Sequence, residues 1–416
     1  MSRPIRSTVA AAAAFLALPV AAQAATTAPA KVFFPNPVQS LRDESLTDQK
    51  DADFFSADPF LATAYKPVTL TDLDASGTLT GTYAKVVSAT GPPARRTANG
   101  FAYTRDDDRF EQVMGYYWVT QAQRYLQGLK LKGPANARQQ LLRINQYGGD
   151  NSFYREGSNK LTITLGKGGV DDAEDGEVIV HEYGHAVQDD QVPGFGSSLE
   201  AGSIGEAFGD YLAVEVSNAV TGNTFQQPCV ADWDSTSYTA GPVHCLRRLD
   251  STKHYPEDVR GEVHADGELW SAALWQARQA IGDPITADRI IVNAQFDFTP
   301  AISFRDAALK TIAAAGKDAK AAGAFRKAFT DRGFVVDEVA NDSSGRTVTG
   351  VGELRHGPRG TEAAKYVTVY LPGAGDFQDT RADATVDVVI GPDFKTLATP
   401  DAVAAALAPK AATSTC

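Results

Sequence analysis

The stretch His181-Glu182-Tyr183-Gly184-His185 places two histidines at positions i and i+4, with a glutamate directly after the first. On an α-helix these positions lie one above the other on the same face, so both imidazoles can hold one metal ion. Glu182 then lies near enough to take a proton from a water that this ion activates. The same short pattern also arises by chance on surface helices, so the residues that follow it decide between the two interpretations.

A zinc hydrolase needs a third protein ligand and one open coordination position. In one class of zinc proteases a glycine and a third histidine follow the motif, but this chain has Gln188 and Gln191 at those positions, which excludes that class. A second helix offers a carboxylate instead. Glu206 and Asp210 are again i and i+4, so Glu206 can bind the metal while Asp210 accepts the spare N–H of a ligating histidine.

Glu206 has a second interpretation, because Ser203-x-x-Glu206 also matches a capping box in which the glutamate only closes the start of a helix. The HExxH stretch lies a short loop upstream of this segment. We therefore favour a zinc site, with His181, His185 and Glu206 as its ligands.

Two segments, HEYGHAV and LEAGSIGEAFGDYLA, resemble the zinc-binding pair of the gluzincin metallopeptidases, and of the thermolysin and fungalysin groups in particular. The resemblance implies the same three zinc ligands. It also implies that Glu182 is the general base and that Asp210 supports the first histidine. A third segment, VHADGELW, is similar to the fungalysin segment whose histidine stabilises the tetrahedral intermediate, which implies that role for His264.

The resemblance extends to substrate contacts. Asn151 and Ser152 match the Asn-Ala pair at the edge of the thermolysin cleft, where the substrate backbone pairs with a strand; the alternative is that Asn151 sits in a turn. Arg247 resembles the arginine that binds the substrate carbonyl beyond the cleaved bond. Asp258 is a candidate for orienting His264. By resemblance, a hydrophobic residue is preferred after the cleaved bond.

The chain has 416 residues, of which 43% are hydrophobic and 22% charged, as in ordinary globular proteins of two or three domains. Its net charge of −12 argues against nucleic acid and anionic membrane as partners. We expect a monomer that acts on a protein or peptide. Structural Ca²⁺ is compatible with the clustered acids Asp171, Asp172, Glu174 and Asp175, which also favour the N-terminus of the motif helix.

The N-terminus has the features of a secretory signal: two early arginines, an apolar run from Val9 to Val20 and the small-x-small site Ala22-Gln23-Ala24. We expect residues 1–24 to be removed and the protein to be secreted or periplasmic. The apolar run is too short to span a membrane comfortably. The residues before the catalytic region are too few for the large inhibitory pro-domain of the resembling families, and a cleavable N-terminal arm is the alternative.

Three cysteines are present. In an exported protein we expect a disulfide between Cys229 and Cys245, with two free thiols as the alternative. Cys416 is left over at the end of the chain, either free or paired between molecules.

Hydrophobic periodicity predicts a mixture of helices and strands. Helices are expected from Phe110 to about Leu129 and from about Ser203 to Ala219, and strands at 366–371 and 384–390. With the resemblance, this predicts an α+β, thermolysin-like two-lobed metallopeptidase that has a β-rich N-terminal lobe, a helical C-terminal lobe and a small C-terminal β appendage.

The expected divisions of the chain follow from these elements and from shifts in composition. Residues 25–65 are expected to wrap the surface or to form an extended N-terminal arm, with a cleavable pro-segment as the alternative. The divisions are a signal peptide (1–24), an N-terminal arm with short strands (25–100), a β-rich lobe with the HExxH helix (101–190), a helical lobe (191–340) and a β appendage with a tail (341–416).

Together these features predict a secreted zinc-dependent endopeptidase in which Glu182 acts as general base and His264 stabilises the oxyanion. One alternative is a non-endopeptidase gluzincin such as an aminopeptidase, although the glycine-rich amine-binding signature is not found upstream. The other is a non-catalytic binding protein on a decayed peptidase fold. Decay usually removes the base or a ligand first, and all four residues are present.

Overall fold

The structure is a computed structural model that describes residues 25–48, 61–87, 91–155, 161–334, 346–382 and 384–399, together with residues 402, 403 and 406. The chain divides into two compact units, Met1–Val336 and Asp337–Cys416, which are considered separately. The predicted signal peptide and Cys416 lie outside the described residues. Within the described part, no helix has the length and apolar character needed to cross a membrane.

The first unit begins with an antiparallel strand pair, in which β1 (Thr26–Val32) pairs with β2 (Lys66–Leu73). Alternate residues of β1, namely Ala28, Ala30 and Val32, are buried in the main core. Thr26–Val32 is therefore an extended segment whose inward side chains join the core. Two of its three inward residues are alanines, so the hydrophobic alternation typical of a strand is weak in the sequence although the strand itself is regular. A short helix, α1 (Pro37–Leu41), follows β1.

A four-stranded sheet of order β3-β4-β6-β5 forms one wall of the cleft described below. Its strands are β3 (Ala84–Val86), β4 (Gln140–Tyr147), β5 (Phe153–Arg155) and β6 (Thr162–Gly166). The first three in spatial order run parallel, and β5 pairs antiparallel with β6 at the edge.

The predicted helix near Phe110–Leu129 is present as α2 (Arg109–Gly128). It packs against the sheet, where the side chain of Ile144 lies over Gly115. Phe110, Met114 and Trp118 are fully buried along the helix, which confirms that its apolar face belongs to the core.

The rest of the first unit is mainly helical. Its helices are α3 (Gly176–Gln191), α4 (Leu199–Thr221), α5 (Val263–Ile281), α6 (Pro284–Gln295), α7 (Phe304–Ala314) and α8 (Ala319–Asp331). Two short strands, β7 (Cys229–Val230) and β8 (Arg247–Arg248), pair between α4 and α5.

Helix α4 begins one turn earlier than predicted, because Ser198 rather than Ser203 caps it. The Ser198 side chain accepts a hydrogen bond from the backbone N–H of Ala201. Ser203 lies inside the helix, where its hydroxyl donates to the Leu199 carbonyl. The capping-box interpretation of Glu206 is therefore wrong, and this side chain is available for another role.

The second unit contains a three-stranded sheet in which β9 (Gly352–His356) is central, β10 (Gly375–Gln378) runs parallel to it and β11 (Val386–Ile390) runs antiparallel. The predicted C-terminal sheet is thus confirmed, and so is the mixed α+β class. The strand predicted at 384–390 corresponds to β11.

The strand predicted at 366–371 is wrong, because these residues belong mostly to helix α9 (Thr361–Tyr370). The Tyr-Val-Thr-Val-Tyr alternation favours a strand, but the good helix formers before it start a helix that continues through it. Ala364 is buried, while Tyr366 is 60% exposed. A helix makes its backbone hydrogen bonds within the segment itself, whereas a strand here would need an adjacent strand to pair with.

Candidate metal centre and active-site cleft

Helices α3 and α4 approach each other closely because glycines face each other at the crossing. A Cβ atom added to Gly184 would lie 2.9 Å from the Cα of Gly209. A Cβ added to Gly209 would lie 2.7 Å from Nδ1 of His181. Side chains on these two helices can therefore meet over short distances, and larger residues at either glycine would push the helices apart.

The side chains of His181, His185 and Glu206 converge, so that one ligand atom from each lies within 4.8 Å of the others. Nε2 of His181 is 3.2 Å from one carboxylate oxygen of Glu206, and Nε2 of His185 is 3.6 Å from the other. Two imidazoles and one carboxylate form a donor set that zinc takes in catalytic sites. These residues thus fit a zinc ion between them.

Asp210 supports the first histidine from the next turn of α4. Its Oδ1 is 2.8 Å from Nδ1 of His181, and Arg247 forms a two-pronged ion pair with both of its oxygens at 2.6 Å. Burial opposes the charge on Asp210, but Arg247 and His181 outweigh it and hold the pKa of this carboxyl below its usual range. The ionised Asp210 can therefore fix the orientation of the His181 ring.

Arg247 is held in place by β8, which pairs with β7. The predicted disulfide is confirmed, since Cys229 in β7 is bonded to Cys245 two residues before Arg247. Arg247 lines the cleft, but its guanidinium is engaged with Asp210. Its predicted contact with a substrate carbonyl stays a prediction.

Glu182 is buried and lines the same cleft. Its Oε2 has no hydrogen-bond partner among the described residues. Burial raises the pKa of Glu182 to about 7; the charge of His181 opposes this shift, and Glu206 and Asp172 add to it. A carboxyl group that titrates near neutral pH can both accept and release a proton.

His264 lies in the first turn of α5, and its Nε2 is 3.3 Å from Glu206. Its Nδ1 is 2.6 Å from Glu262, which also caps the helix. The expected partner Asp258 instead accepts a hydrogen bond from the backbone of His254. Glu262 takes the orienting position because its side chain already faces the helix start.

Asn151 and Ser152 stand directly before the edge strand β5, on the wall of the cleft. Asn151 is exposed, and the Ser152 hydroxyl donates to Asp172. Their contact with the substrate backbone stays a prediction.

The acids before α3 do not share one site. Asp175 caps α3, Glu174 pairs with Arg105 and Asp171 accepts a hydrogen bond from Asn145. Asp172 turns instead into the cleft, where one oxygen each from Asp150, Asp172 and Asp234 lie within 4.8 Å of one another. Sequence reasoning did not single out Asp150 or Asp234, because the three residues come from separate segments with no common spacing.

The metal centre and this group of aspartates lie in one cavity of about 750 Å³. Apolar residues that also line it include Val178, Val230 and Leu246. A peptide segment can therefore reach both sets of side chains at once.

Comparison with known proteins gives two family matches. Residues 97–296 match the model of the fungalysin metallopeptidase (M36) family, and residues 311–394 match that of the LytR cell envelope-related transcriptional attenuator. The cell envelope integrity protein Cei of Mycobacterium tuberculosis is 33% identical over 114 residues, which cover 27% of this chain and 52% of that protein. The chain thus spans about half the length of this curated relative.

Among solved structures, the precursor of protealysin, a metalloproteinase from Serratia proteamaculans, is similar with 15% sequence identity and a TM-score of 0.47. The likeness covers 61% of this chain and 87% of that one.

The fungalysin match includes every residue of the metal centre. The convergence of His181, His185 and Glu206 on one point, beside a buried Glu182, agrees with it independently. Residues 97–296 of this chain are therefore a fungalysin (M36) metallopeptidase domain.

Proposed function

We propose that this protein is a zinc-dependent endopeptidase that acts outside the cytoplasm, as a secreted or periplasmic enzyme. The observation that carries the proposal is the convergence of His181, His185 and Glu206 beside Glu182, in a cleft large enough for a peptide. A zinc ion held by the three ligands supplies Lewis-acid polarisation of a peptide carbonyl and makes water easier to deprotonate.

The side chains around this centre have complementary roles. Glu182 accepts the proton of the attacking water and delivers it to the nitrogen of the leaving amine. His264 donates a hydrogen bond to the oxygen on which negative charge develops. Asp210 holds His181 in the tautomer that presents Nε2 to the metal.

The substrate is a protein or peptide chain. Its backbone pairs with the cleft edge at Asn151 and Ser152, just before β5, so that affinity depends little on sequence. Arg247 contributes to the cleft wall and binds a substrate carbonyl beyond the cleaved bond.

Three features support a location in the cell envelope or outside the cell: the likeness to the cell envelope integrity protein, the match of residues 311–394 and the Cys229–Cys245 disulfide. We also propose that the protein is a monomer, that it binds structural Ca²⁺, and that its chain is divided into the segments predicted from the sequence.

The test is hydrolysis of casein by the purified mature protein, together with its metal content. The wild type is compared with Glu182→Gln, which removes the base but keeps the shape, and with Glu257→Gln, a matched change at an exposed position. We expect the wild type and Glu257→Gln to bind zinc and cleave casein. Glu182→Gln should keep its zinc and lose roughly 10²–10⁴-fold in rate.

Two results would contradict the proposal. A wild-type protein that binds zinc but cleaves neither casein nor short peptides would point to the non-catalytic binding protein. A protein that binds no zinc would remove the whole metallopeptidase mechanism.

A further inference from the structure

Two of the three aspartates in the cleft, Asp172 and Asp234, each hold a buried carboxylate oxygen, Oδ1, that has no hydrogen-bond partner among the described residues. Asp172 is 2% exposed and Asp234 is 3% exposed. Both are directed into a cluster with Asp150, which accepts a hydrogen bond from the Tyr238 hydroxyl at 2.7 Å. Unpartnered buried oxygens of this kind call for a donor that comes from elsewhere.

The cluster also lacks a direct ion pair to a described residue, although the charge of Arg247 acts on Asp234. Within the described part of the chain, no lysine or arginine forms an ion pair with any of the three aspartates, and the nearby Arg247 is paired with Asp210. Burial raises the pKa of Asp172 to about 7, and the charge of Asp150 adds to the shift. Burial also raises the pKa of Asp234, with contributions from Asp172 and Asp175. A cation placed among the three would relieve this repulsion.

The position of the cluster relates it to the chemistry. Asp172 and Glu182 line the same cavity and the charge of Asp172 acts on Glu182, whereas Nε2 of His264 contacts Glu206. In the proposed mechanism Glu182 transfers a proton to the nitrogen of the leaving amine. That nitrogen belongs to the residue directly after the cleaved bond, so this residue lies on the side of Asp172.

We propose that Asp150, Asp172 and Asp234 form the subsite for a lysine or arginine side chain at the position directly after the cleaved bond. This inference rests on the proposed function and replaces the hydrophobic preference that the family resemblance implies. The aliphatic stem of the basic residue runs along the apolar lining residues Val178, Val230 and Leu246, and its charged end reaches the carboxylates.

The first experiment measures kcat/KM for a set of fluorogenic peptides that differ only at the position after the cleaved bond. That position holds lysine, arginine, norleucine or glutamate, and mass spectrometry of the products verifies the cleaved bond. Norleucine keeps the aliphatic stem of lysine but lacks the charge. We expect lysine and arginine to exceed norleucine by at least about tenfold, with glutamate the poorest substrate.

The second experiment compares Asp172→Asn and Asp234→Asn with Asp297→Asn, an exposed control that pairs with Lys132. The quantity measured is the ratio of kcat/KM for the lysine peptide to that for the norleucine peptide, because a general loss of activity cancels in it. We expect the ratio to fall roughly 3- to 10-fold, toward one, in each cleft variant and to stay at the wild-type value in the control. Zinc content and thermal unfolding show that each variant is folded.

A binding measurement tests the preference for a basic residue without requiring any peptide cleavage. The zinc-loaded Glu182→Gln variant should bind the lysine peptide more tightly than the norleucine peptide, by fluorescence anisotropy. Equal binding of the two peptides would overturn the subsite, whether or not the wild type cleaves anything. Wild-type cleavage of all peptides at equal rates would overturn it too, while leaving the endopeptidase function intact.

Calcium is the competing occupant. If the purified protein holds Ca²⁺ that Asp172→Asn loses, and the lysine preference is absent, the cluster is a metal site and the proposal is wrong.

Discussion

Two groups of buried acidic side chains lie beside one cleft, and their pKa values are shifted in opposite directions. Asp210, beside the metal centre, is 1% exposed, and its pKa lies below the usual range. Asp172 and Asp234, in the aspartate cluster, are about equally buried, and their pKa values are raised. Burial is therefore not what separates them. Asp210 has Arg247 and His181 within hydrogen-bond distance, whereas no ion pair to the cluster is found among the described residues.

The difference in pairing suggests that the two acidic groups have different roles. The paired group has its charges satisfied by the protein, which suits a rigid support for a metal ligand. The unpaired group keeps unsatisfied charge next to the substrate cavity, which suits recognition of a charged ligand.

Replacing a carboxylate ligand should have the largest effect and separates the two groups most clearly. We expect Glu206→Ala to lose zinc and all measurable peptidase activity, because two imidazoles alone hold the ion weakly. Asp234→Asn should keep its zinc. Metal analysis by mass spectrometry after desalting checks both. Loss of zinc from both variants would show that the two groups form one site.

Replacing Asp210 should cost stability, whereas replacing a cluster aspartate should not. Asp210→Asn leaves Arg247 buried without its partner, so we expect the free energy of unfolding to fall by about 3–5 kcal/mol. Zinc affinity should fall roughly 10–100-fold, because His181 loses its support. Asp234→Asn removes an unpaired charge and should leave the stability equal or higher. Urea unfolding of the metal-free proteins tests this, and similar losses in both variants would refute the comparison.

Removing the disulfide should weaken the paired group indirectly. The bridge closes a loop with a sequence separation of 16 residues and ties β7 to the residue two positions before Arg247, which pairs with β7 as part of β8. We expect the Cys229→Ser/Cys245→Ser protein to lose about 3 kcal/mol of unfolding free energy. Thermal unfolding measures the loss, with Cys416→Ser as the control that leaves the bridge intact. An unchanged melting temperature would contradict this expectation.

The smallest effect concerns pH. The pKa of Asp172 in the folded protein is about 7, above its ordinary value of 3.8, so the folded state holds this proton more tightly than the unfolded state. The stabilisation is complete below about pH 4 and is lost as pH rises through 7. Between pH 5 and pH 8 we expect the wild type to lose about 2 kcal/mol more unfolding free energy than Asp172→Asn. If the unfolding free energies of the two proteins changed with pH in the same way, Asp172 would not be buried among like charges.

Local patterns predicted the helices better than the remaining elements. Helix α2 follows from an apolar face that repeats at helical spacing, and its bounds agree closely with Phe110–Leu129. The alternating run at Tyr366 was misleading, since the helix formers before it continue through it as α9. The burial of β1 was missed, because its inward residues are small and their burial depends on β2, more than thirty residues away in sequence.

The sequence by itself determined the elements of the metal centre. In each of the two motifs the chemistry depends on an i, i+4 spacing, which a helix converts into one face without any information from the rest of the chain. The glycines at 184 and 209 permit the close crossing of α3 and α4, but only the tertiary structure shows that they face each other.

Only the tertiary structure decided what surrounds that centre. Asp150 lies in a bend between β4 and β5, Asp172 begins a 3₁₀ turn before α3, and Asp234 begins a 3₁₀ turn between the two disulfide cysteines. Arg247 reaches Asp210 through a two-residue strand pair. No spacing along the chain relates these residues. Their proximity, and therefore the charge each one carries, follows from long-range packing, because the pKa of a buried carboxyl depends on which partner the fold places beside it.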